Sequence, residues 1–448
     1  MMANRNGILR LLRQEACALG GLEDVQPVID LIGNAQLVLL GEATHGTQEF
    51  YRLRASISRR LIVDKGFDAI AVEADWPDAL RVSRYIQGAA DDGDATAALG
   101  GFERFPRWMW RNTAMVDLID WLRRRNEAAA GTAKVGFFGL DLYSLRASMA
   151  AVIGYLAQVD PEAAGRARMR YACFDVFGDN PQYYGYATTF GLSRDCEAAV
   201  LEQLLELTDA PARYFHADGI ASGDELFYAR QNARVVSNSE AYYRAMFQGR
   251  DESWNLRDTH MADTLDALQA HLAQRLGRPA RIVVWAHNSH LGDARATSWE
   301  ERGQINLGQL VRERHGRPGE TFALGFTTHD GTVAAASEWD PPVERKIVRP
   351  SRPESIERLL HDCGLALFAL PLAGRQALSA ALAGARLERA IGVIYRPESE
   401  LVSHYFHASL PGQFDAVVHV DHSQAVHPLD APYDWEPSGE PETFPSGI

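Results

Sequence analysis

Acid and imidazole groups recur in this chain directly after short apolar runs. The run Gln36–Leu40 is followed by Gly41-Glu42-Ala43-Thr44-His45-Gly46. A carboxylate beside an imidazole can orient the ring and raise its basicity, which a general base requires. The two glycines permit a tight strand-to-helix turn whose backbone N–H groups, those of Gly46 and Thr47, can face a developing negative charge. For this pair taken alone, a structural Glu42 and a helix-capping His45 are the alternative.

The arrangement repeats. Asp68–Val72 leads into Glu73-Ala74-Asp75-Trp76, and Lys134–Leu140 into Asp141. Arg281–Trp285 leads into Ala286-His287-Asn288-Ser289-His290, and Thr321–Phe326 into Thr327 and His329. Ligands of open parallel sheets bind beyond the carboxyl ends of the strands. Five such runs therefore predict a cleft lined by acids and imidazoles. Two arginines bear on it. Phe50, Leu53, Ile57 and Leu61 form one helical stripe, and Arg54 falls inside it. A guanidinium there needs an anionic partner, which Glu42, Glu73 or a substrate oxygen can supply. Arg257 sits likewise on the stripe Trp254, Met261, Leu265, Leu268 and Leu272, with Asp258 beside it. A purely structural Arg257–Asp258 network is the alternative there. Trp108, Trp110 and the Tyr183–Tyr184–Tyr186 group can wall an apolar substrate pocket or serve as ordinary core.

The reaction class is narrowed by what is missing. There is no G-x-S-x-G elbow, no P-loop, no G-x-G-x-x-G after a strand and no H-E-x-x-H. No cysteine stands at a strand end. Hydrolysis by a base-activated water is the leading class, with His45 or a Glu73 of raised pKa as the base. Metal-assisted hydrolysis, with His45, Glu73, His287 and perhaps His290 as ligands, is the second. A binding protein that keeps the cleft without turnover is the third. No cofactor is expected otherwise.

The elements that must position these groups are short β-rich runs alternating with amphipathic helices. Besides the five runs above, Leu365–Leu370, Ala390–Ile394 and Ala416–Val420 read as strands. Apolar runs of this length mark strands buried on both faces. The fold class expected is α/β: a mostly parallel central sheet flanked by helices, with a large helical insertion forming a bundle over the active-site edge. The expected parts are a first core segment 1–143, the insertion 144–277, a second core segment 278–424 and a C-terminal extension 425–448. Gly88–Arg107 reads as a long loop.

The 448 residues carry a formal charge of −14 and are 46% apolar and 23% charged. That composition excludes a largely disordered or fibrous chain. The acidity argues against nucleic acid as a partner. No apolar run is long enough to span a bilayer, and the N-terminus lacks a signal-peptide pattern. Cys17, Cys173, Cys196 and Cys363 are scattered and read as four inert thiols in a reduced, cytoplasmic protein. The oligomeric state is not legible.

Four segments carry a resemblance. GEATHGTQEFYRLR (41–54), AVEADWP (71–77), WNLRDTHM (254–261) and VVWAHNSHLGDA (283–294) resemble the erythromycin esterase family, in the branch labelled succinoglycan-biosynthesis-like. The resemblance implies a hydrolase of carboxylic esters or lactones, macrolides being the family's substrate, acting on a small molecule without a serine nucleophile. It implies His45 as general base, supported by Glu42, Arg54, Glu73 and His287, with His290 lining the cleft. Asn288, Asp75, Arg257, Asp141 and Trp110 complete the expected substrate-binding set.

Overall fold

The computed structural model describes residues 5–129, 134–177, 181–192, 195–209, 220–247, 249–317, 319–431 and 435. Its centre is a sheet whose strands are β1 (Cys17–Ala18), β2 (Leu37–Leu40), β3 (Ala69–Asp75), β4 (Gly136–Asp141), β5 (Ile282–Trp285), β6 (Thr321–Ala335), β7 (Glu344–Val348) and β8 (Leu367–Pro371). A separate pair, β9 (Arg386–Arg389) and β10 (Tyr405–Ala408), is antiparallel, and β11 (Ala416–Ser423) returns to the main sheet.

The order across the main sheet is β1-β8-β11-β6-β2-β5-β3-β4, with β7 on β6. The six strands from β11 to β4 run parallel. β8, β1 and β7 are antiparallel to their neighbours, so the sheet is mixed at its rim. Every residue of β2, β3, β4 and β5 is buried. This explains the apolar spelling of β2 and β5, and of β3 and β4 up to Glu73 and Asp141, because a parallel strand covered on both faces has no polar side. β2 lies centrally, flanked by β5 and β6. The chain leaves it in one direction for β3 and returns on the other side with β6, so a crevice opens at its carboxyl end.

Helix α1 (Gln48–Lys65) follows β2, and α2 (Trp76–Gln87) follows β3. Between β4 and β5 the described residues form α3 (Leu145–Val159), α4 (Pro161–Tyr171), α5 (Pro181–Thr189), α6 (Glu197–Asp209), α7 (Ile220–Ala245) and α8 (Arg250–Leu276). Most of these enclose a core of their own, built on Val152, Leu156, Phe174, Tyr184 and Val236. Among the described residues, no helix is long and apolar enough to cross a membrane.

The structure corrects three expectations. Ala390–Ile394 is not a strand: Ile391 and Ile394 each make one isolated bridge, to Thr44 and Ala336, and the regular pairing sits just before them. Gly88–Arg107 holds a short helix, Ala95–Ala98, whose N-terminus is capped by the Asp94 carboxylate accepting from the Ala97 N–H. Cys173 and Cys196 form a disulfide with Cα atoms 6.0 Å apart, so two of the four cysteines are not free thiols. The helical bundle packs them side by side although 23 positions separate them. Cys17 is exposed and Cys363 buried.

Candidate active site

The turn after β2 is fixed at two pinch points. A Cβ on Gly41 would stand 2.1 Å from Asn288 Oδ1, and one on Gly46 would stand 1.9 Å from the Ala334 carbonyl oxygen. Only glycine allows such approach. The intervening residues present Glu42 and His45, both buried. His45 Nδ1 is 2.9 Å from Glu42 Oε1, and the Tyr51 hydroxyl donates to the His45 carbonyl at 2.9 Å. With Nδ1–H donated to the carboxylate, Nε2 is the nitrogen left for chemistry. Behind Glu42, the guanidinium of Arg54 forms an ion pair with Oε2 that lacks hydrogen-bond alignment. Arg54 is sealed between the Tyr51 and Trp285 rings, 4.8 and 4.7 Å from their centroids.

A second group forms across β3, β4 and α8. Arg257 donates to Asp141 at 3.0 and 2.7 Å and to Glu73 at 2.8 Å. The other Glu73 oxygen accepts the His287 backbone N–H at 2.8 Å. His290 lies 3.3 Å from Glu73 and 2.9 Å from Asp258, and stacks on Trp254 at 4.6 Å. Burial alone would raise the Glu73 carboxyl, but His290 and Arg257 outweigh it and hold it well below the usual carboxylate range. Burial opposes a charge on His290 as well. Asp258 and Glu73 overcome that and push it up to about 9. The half-buried Arg257 and the buried His290 are thus two cations among three carboxylates.

His287 stands apart from both networks. Burial and the neighbouring His45 pull it down to about 3, so its ring is neutral. Nδ1 accepts from the Ser289 backbone N–H at 3.2 Å, which leaves the hydrogen on Nε2. Nε2 is buried without a partner, and the ring centroid lies 4.8 Å from that of His45.

His45, Glu73, Asp75, Asp141, Arg257 and Trp110 line one chamber of about 200 Å³. It opens into an outer chamber of about 780 Å³ walled by α3, α7 and the 101–105 and 339–340 segments.

The erythromycin esterase family model matches residues 62–423. The chain belongs to the erythromycin esterase family. An erythromycin esterase type II of Escherichia coli is 22% identical over 365 residues, which is 77% of this chain and 82% of that protein. A putative hydrolase, YbfO, of Bacillus subtilis is 21% identical over 89% of this chain and 86% of its own length. Among solved structures, a succinoglycan biosynthesis protein superposes with a TM-score of 0.76 at 22% identity, covering 95% of this chain and 99% of that one. A histidine-to-asparagine mutant of an erythromycin esterase in its open conformation gives 0.65 at 19% identity, covering 90% of this chain and 94% of that one. These likenesses carry the fold. The family match begins after Glu42, His45 and Arg54, so their placement here rests on geometry.

The structure places several expected site residues away from the chamber. Arg54 does not line the chamber and meets Glu42 rather than a substrate. Asn288 spends its amide on Phe326, donating to the carbonyl at 2.7 Å and accepting from the N–H at 3.3 Å. It ties β6 to the site but offers nothing to a ligand. Neither His287 nor His290 lines the chamber, and His290 lies behind Glu73. Gly46 and Thr47 do not line it either; the Gly46 carbonyl accepts from Ala334 and Val426. Glu73 is too stabilised as an anion to serve as a base of raised pKa. Arg257 pairs with Asp141 and Glu73 rather than with Asp258. Tyr184 is buried in the bundle, donating to Glu240, while Tyr183 and Tyr186 are exposed on it.

The fifth strand end also diverges. Thr327 bonds His419 at 2.9 Å, and His329 stacks on His361 at 3.7 Å. His361 and His419 both reach Asp421, so the imidazoles at this strand end form a separate cluster.

Both Glu73 oxygens and His45 Nδ1 are already engaged, and the Arg257 guanidinium stands among the acids. Among the described residues, no three His, Cys, Asp or Glu side chains are grouped to hold a metal.

Sequence reasoning missed Arg104, Tyr143, Asp78 and Trp339, all of which line the cleft. Asp78 was legible: it lies one helical turn after Asp75. Arg104 and Trp339 sit in irregular segments with no periodicity to place them.

Proposed function

We propose that this protein hydrolyses a carboxylic ester or lactone of a small molecule, with His45 activating water directly. The observation that carries this reading is the Glu42–His45 pair, of which His45 lines the inner chamber. His45 Nε2 takes a proton from water, and the oxygen bonds to the ester carbonyl carbon. The tetrahedral oxyanion forms in the chamber that the Arg257 guanidinium also lines, and that positive charge favours it. Collapse breaks the carbon–oxygen ester bond, and the leaving alkoxide recovers the proton from the His45 imidazolium. Glu42 holds the ring in the required tautomer and stabilises its charged form, while Arg54 fixes Glu42 from behind. No serine or cysteine lines the inner chamber, so the reading needs no covalent step.

The test is a hydrolysis screen of aryl esters, acylated sugars and macrolide lactones with wild type and His45→Ala. A loss of roughly 10²–10⁴-fold is expected in the variant, the range of general-base catalysis. Single-turnover hydrolysis in ¹⁸O-water should place label in the acid product and none in the protein. A trapped acyl-enzyme, or equal rates in His45→Ala, overturns the mechanism.

A further inference from the structure

We infer that Trp339 is a specificity-determining residue that selects esters bearing a flat, apolar ring system on the half lying outside the inner chamber; this rests on the hydrolase reading above. The inner chamber of about 200 Å³ has room for about seven water molecules at roughly 30 Å³ each. It therefore takes the ester group beside His45 and little more. The rest of a larger substrate must lie in the outer chamber of about 780 Å³. Asp75, Asp78, Arg104, Phe105, Tyr143 and Trp339 line both chambers, so such a substrate passes Trp339. The rings there form a track. Trp339 meets Phe105 at 5.0 Å, Tyr143 meets Tyr242 at 5.2 Å, and Tyr242 meets Tyr243 at 5.4 Å. The tyrosines are largely committed to the protein itself. Arg104 and Arg257 cover Tyr143 at 4.8 and 4.9 Å, its hydroxyl bonds that of Tyr242 at 3.1 Å, and Tyr243 is buried. Trp339 is 57% exposed, and among the described residues its one ring contact is Phe105. A lone exposed indole on an open surface is ordinary; this one lines the passage to His45.

The segment that carries Trp339 supplies the independent observation. It joins β6 to β7, whose register pairs Ala335 with Glu344. Its ends, Ala336 and Val343, are buried. The Ala336 N–H donates to the Val393 carbonyl at 2.9 Å, and its carbonyl accepts from Tyr395 at 3.0 Å. Arg396 donates to the Ser337 carbonyl at 3.0 Å, and the Ser337 hydroxyl donates to Glu344 at 2.6 Å. Trp339 is followed by Asp340, Pro341 and Pro342, and each proline locks its own φ. Asp340 has φ 75° and is the one non-glycine residue with positive φ among the described residues. Such backbone strain persists where the surroundings hold it, and it marks a side chain set in place rather than a slack loop. An aromatic ring presented in this way loses little freedom on contact, so the apolar area it buries against a ligand appears as affinity.

The experiment compares naphthylethyl acetate with decalinylethyl acetate, which share a carbon skeleton and leaving-group chemistry but differ in that one bicycle is flat and the other puckered. A mirrored pair, ethyl naphthylpropanoate and ethyl decalinylpropanoate, puts the same groups on the acyl half, because either half can be the outer one. Wild type should prefer the flat member of one pair by about tenfold or more in kcat/KM, the size of one aromatic contact with its buried area. The difference should sit in KM. Trp339→Ala should bring that ratio near one, and Trp339→Phe should retain most of it; thermal melting checks that both variants keep the fold. Equal rates within both pairs, or a preference that survives Trp339→Ala, overturns the proposal and leaves the hydrolase reading standing. If no ester turns over, the hydrolase reading falls and binding decides the site. Calorimetric titration of naphthylethyl ethyl ether into His45→Ala, with and without Trp339→Ala, then supports the proposal if removing the indole weakens binding about tenfold, and overturns it if binding is absent or unchanged.

Discussion

Asp258 holds no ligand and faces no chamber, yet replacing it should change the charge state of the site. Its two oxygens lie 2.9 Å from His290 Nδ1, and Oδ1 also accepts the Leu307 N–H at 2.8 Å. In Asp258→Asn the amide oxygen can keep the Leu307 bond, so the perturbation is mainly the loss of one negative charge. His290 is raised from 6.5 to about 9. A group whose folded value lies above its unfolded one contributes stability that is complete below about 6.5 and lost as pH rises through 9. At 1.36 kcal/mol per unit, the shift corresponds to roughly 3 kcal/mol. Wild type should therefore lose about that much unfolding free energy between pH 6.5 and 9. Asp258→Asn should be less stable than wild type at pH 6.5 and approach it by pH 9. Urea unfolding followed by tryptophan fluorescence at half-unit pH intervals measures the difference, and other titrating groups cancel in it. A difference that stays constant across the range would refute a charged His290.

Two further outcomes follow from buried charges. Arg54→Ala removes the guanidinium from Glu42 Oε2 inside the fold and leaves that carboxyl only its bond to His45; breaking a buried ion pair typically costs about 3–5 kcal/mol. Both the unfolding midpoint and kcat should drop, while Arg54→Lys should recover the first more than the second, because a point charge cannot stack between Tyr51 and Trp285 as a planar guanidinium does. Unchanged melting and activity in Arg54→Ala would show that the pair is dispensable. Glu388, buried beside Glu357 and hydrogen-bonded by Gln413, is pushed up to about 8 by burial and then by Glu357. An acid raised in the folded state costs stability as pH climbs from its unfolded value toward 8, here roughly 4 kcal/mol in all. Glu388→Gln should therefore be more stable than wild type at pH 8 and nearly equal at pH 4.5, as read from urea midpoints; parallel curves would contradict this.

The parallel strands were legible because burial on both faces leaves an unbroken apolar spelling with polar residues only at the exit. The expected bundle likewise follows from helical periodicity, and its helices wall the outer chamber. Ala390–Ile394 has the same spelling for a different reason: Ile391 is buried as a single bridge to Thr44, and periodicity cannot separate one buried residue from a strand. His329 shows the same limit at the site. A residue type at a strand end says that a polar group stands near an edge, but not toward which neighbour it turns. The pairing of Arg257 with Asp141 and Glu73 joins positions 116 and 184 apart, and nothing local could choose it over the adjacent Asp258. The role of Arg54 was half legible: its stripe required an anion, and Glu42 was one of the candidates named.

The placement of β2 bears on how the chain is made. Leu37–Leu40 leaves the ribosome well before its two neighbours, β5 and β6, which are supplied by residues 282–285 and 321–324. Until those residues emerge, this wholly apolar strand has both edges unpaired, and non-local parallel pairing is slow to form. A nascent chain halted before about residue 325 exposes a template for association with other chains. Truncations that remove β6 should accumulate as aggregates rather than as smaller folded units, and full-length yield should depend on holding chaperones during translation.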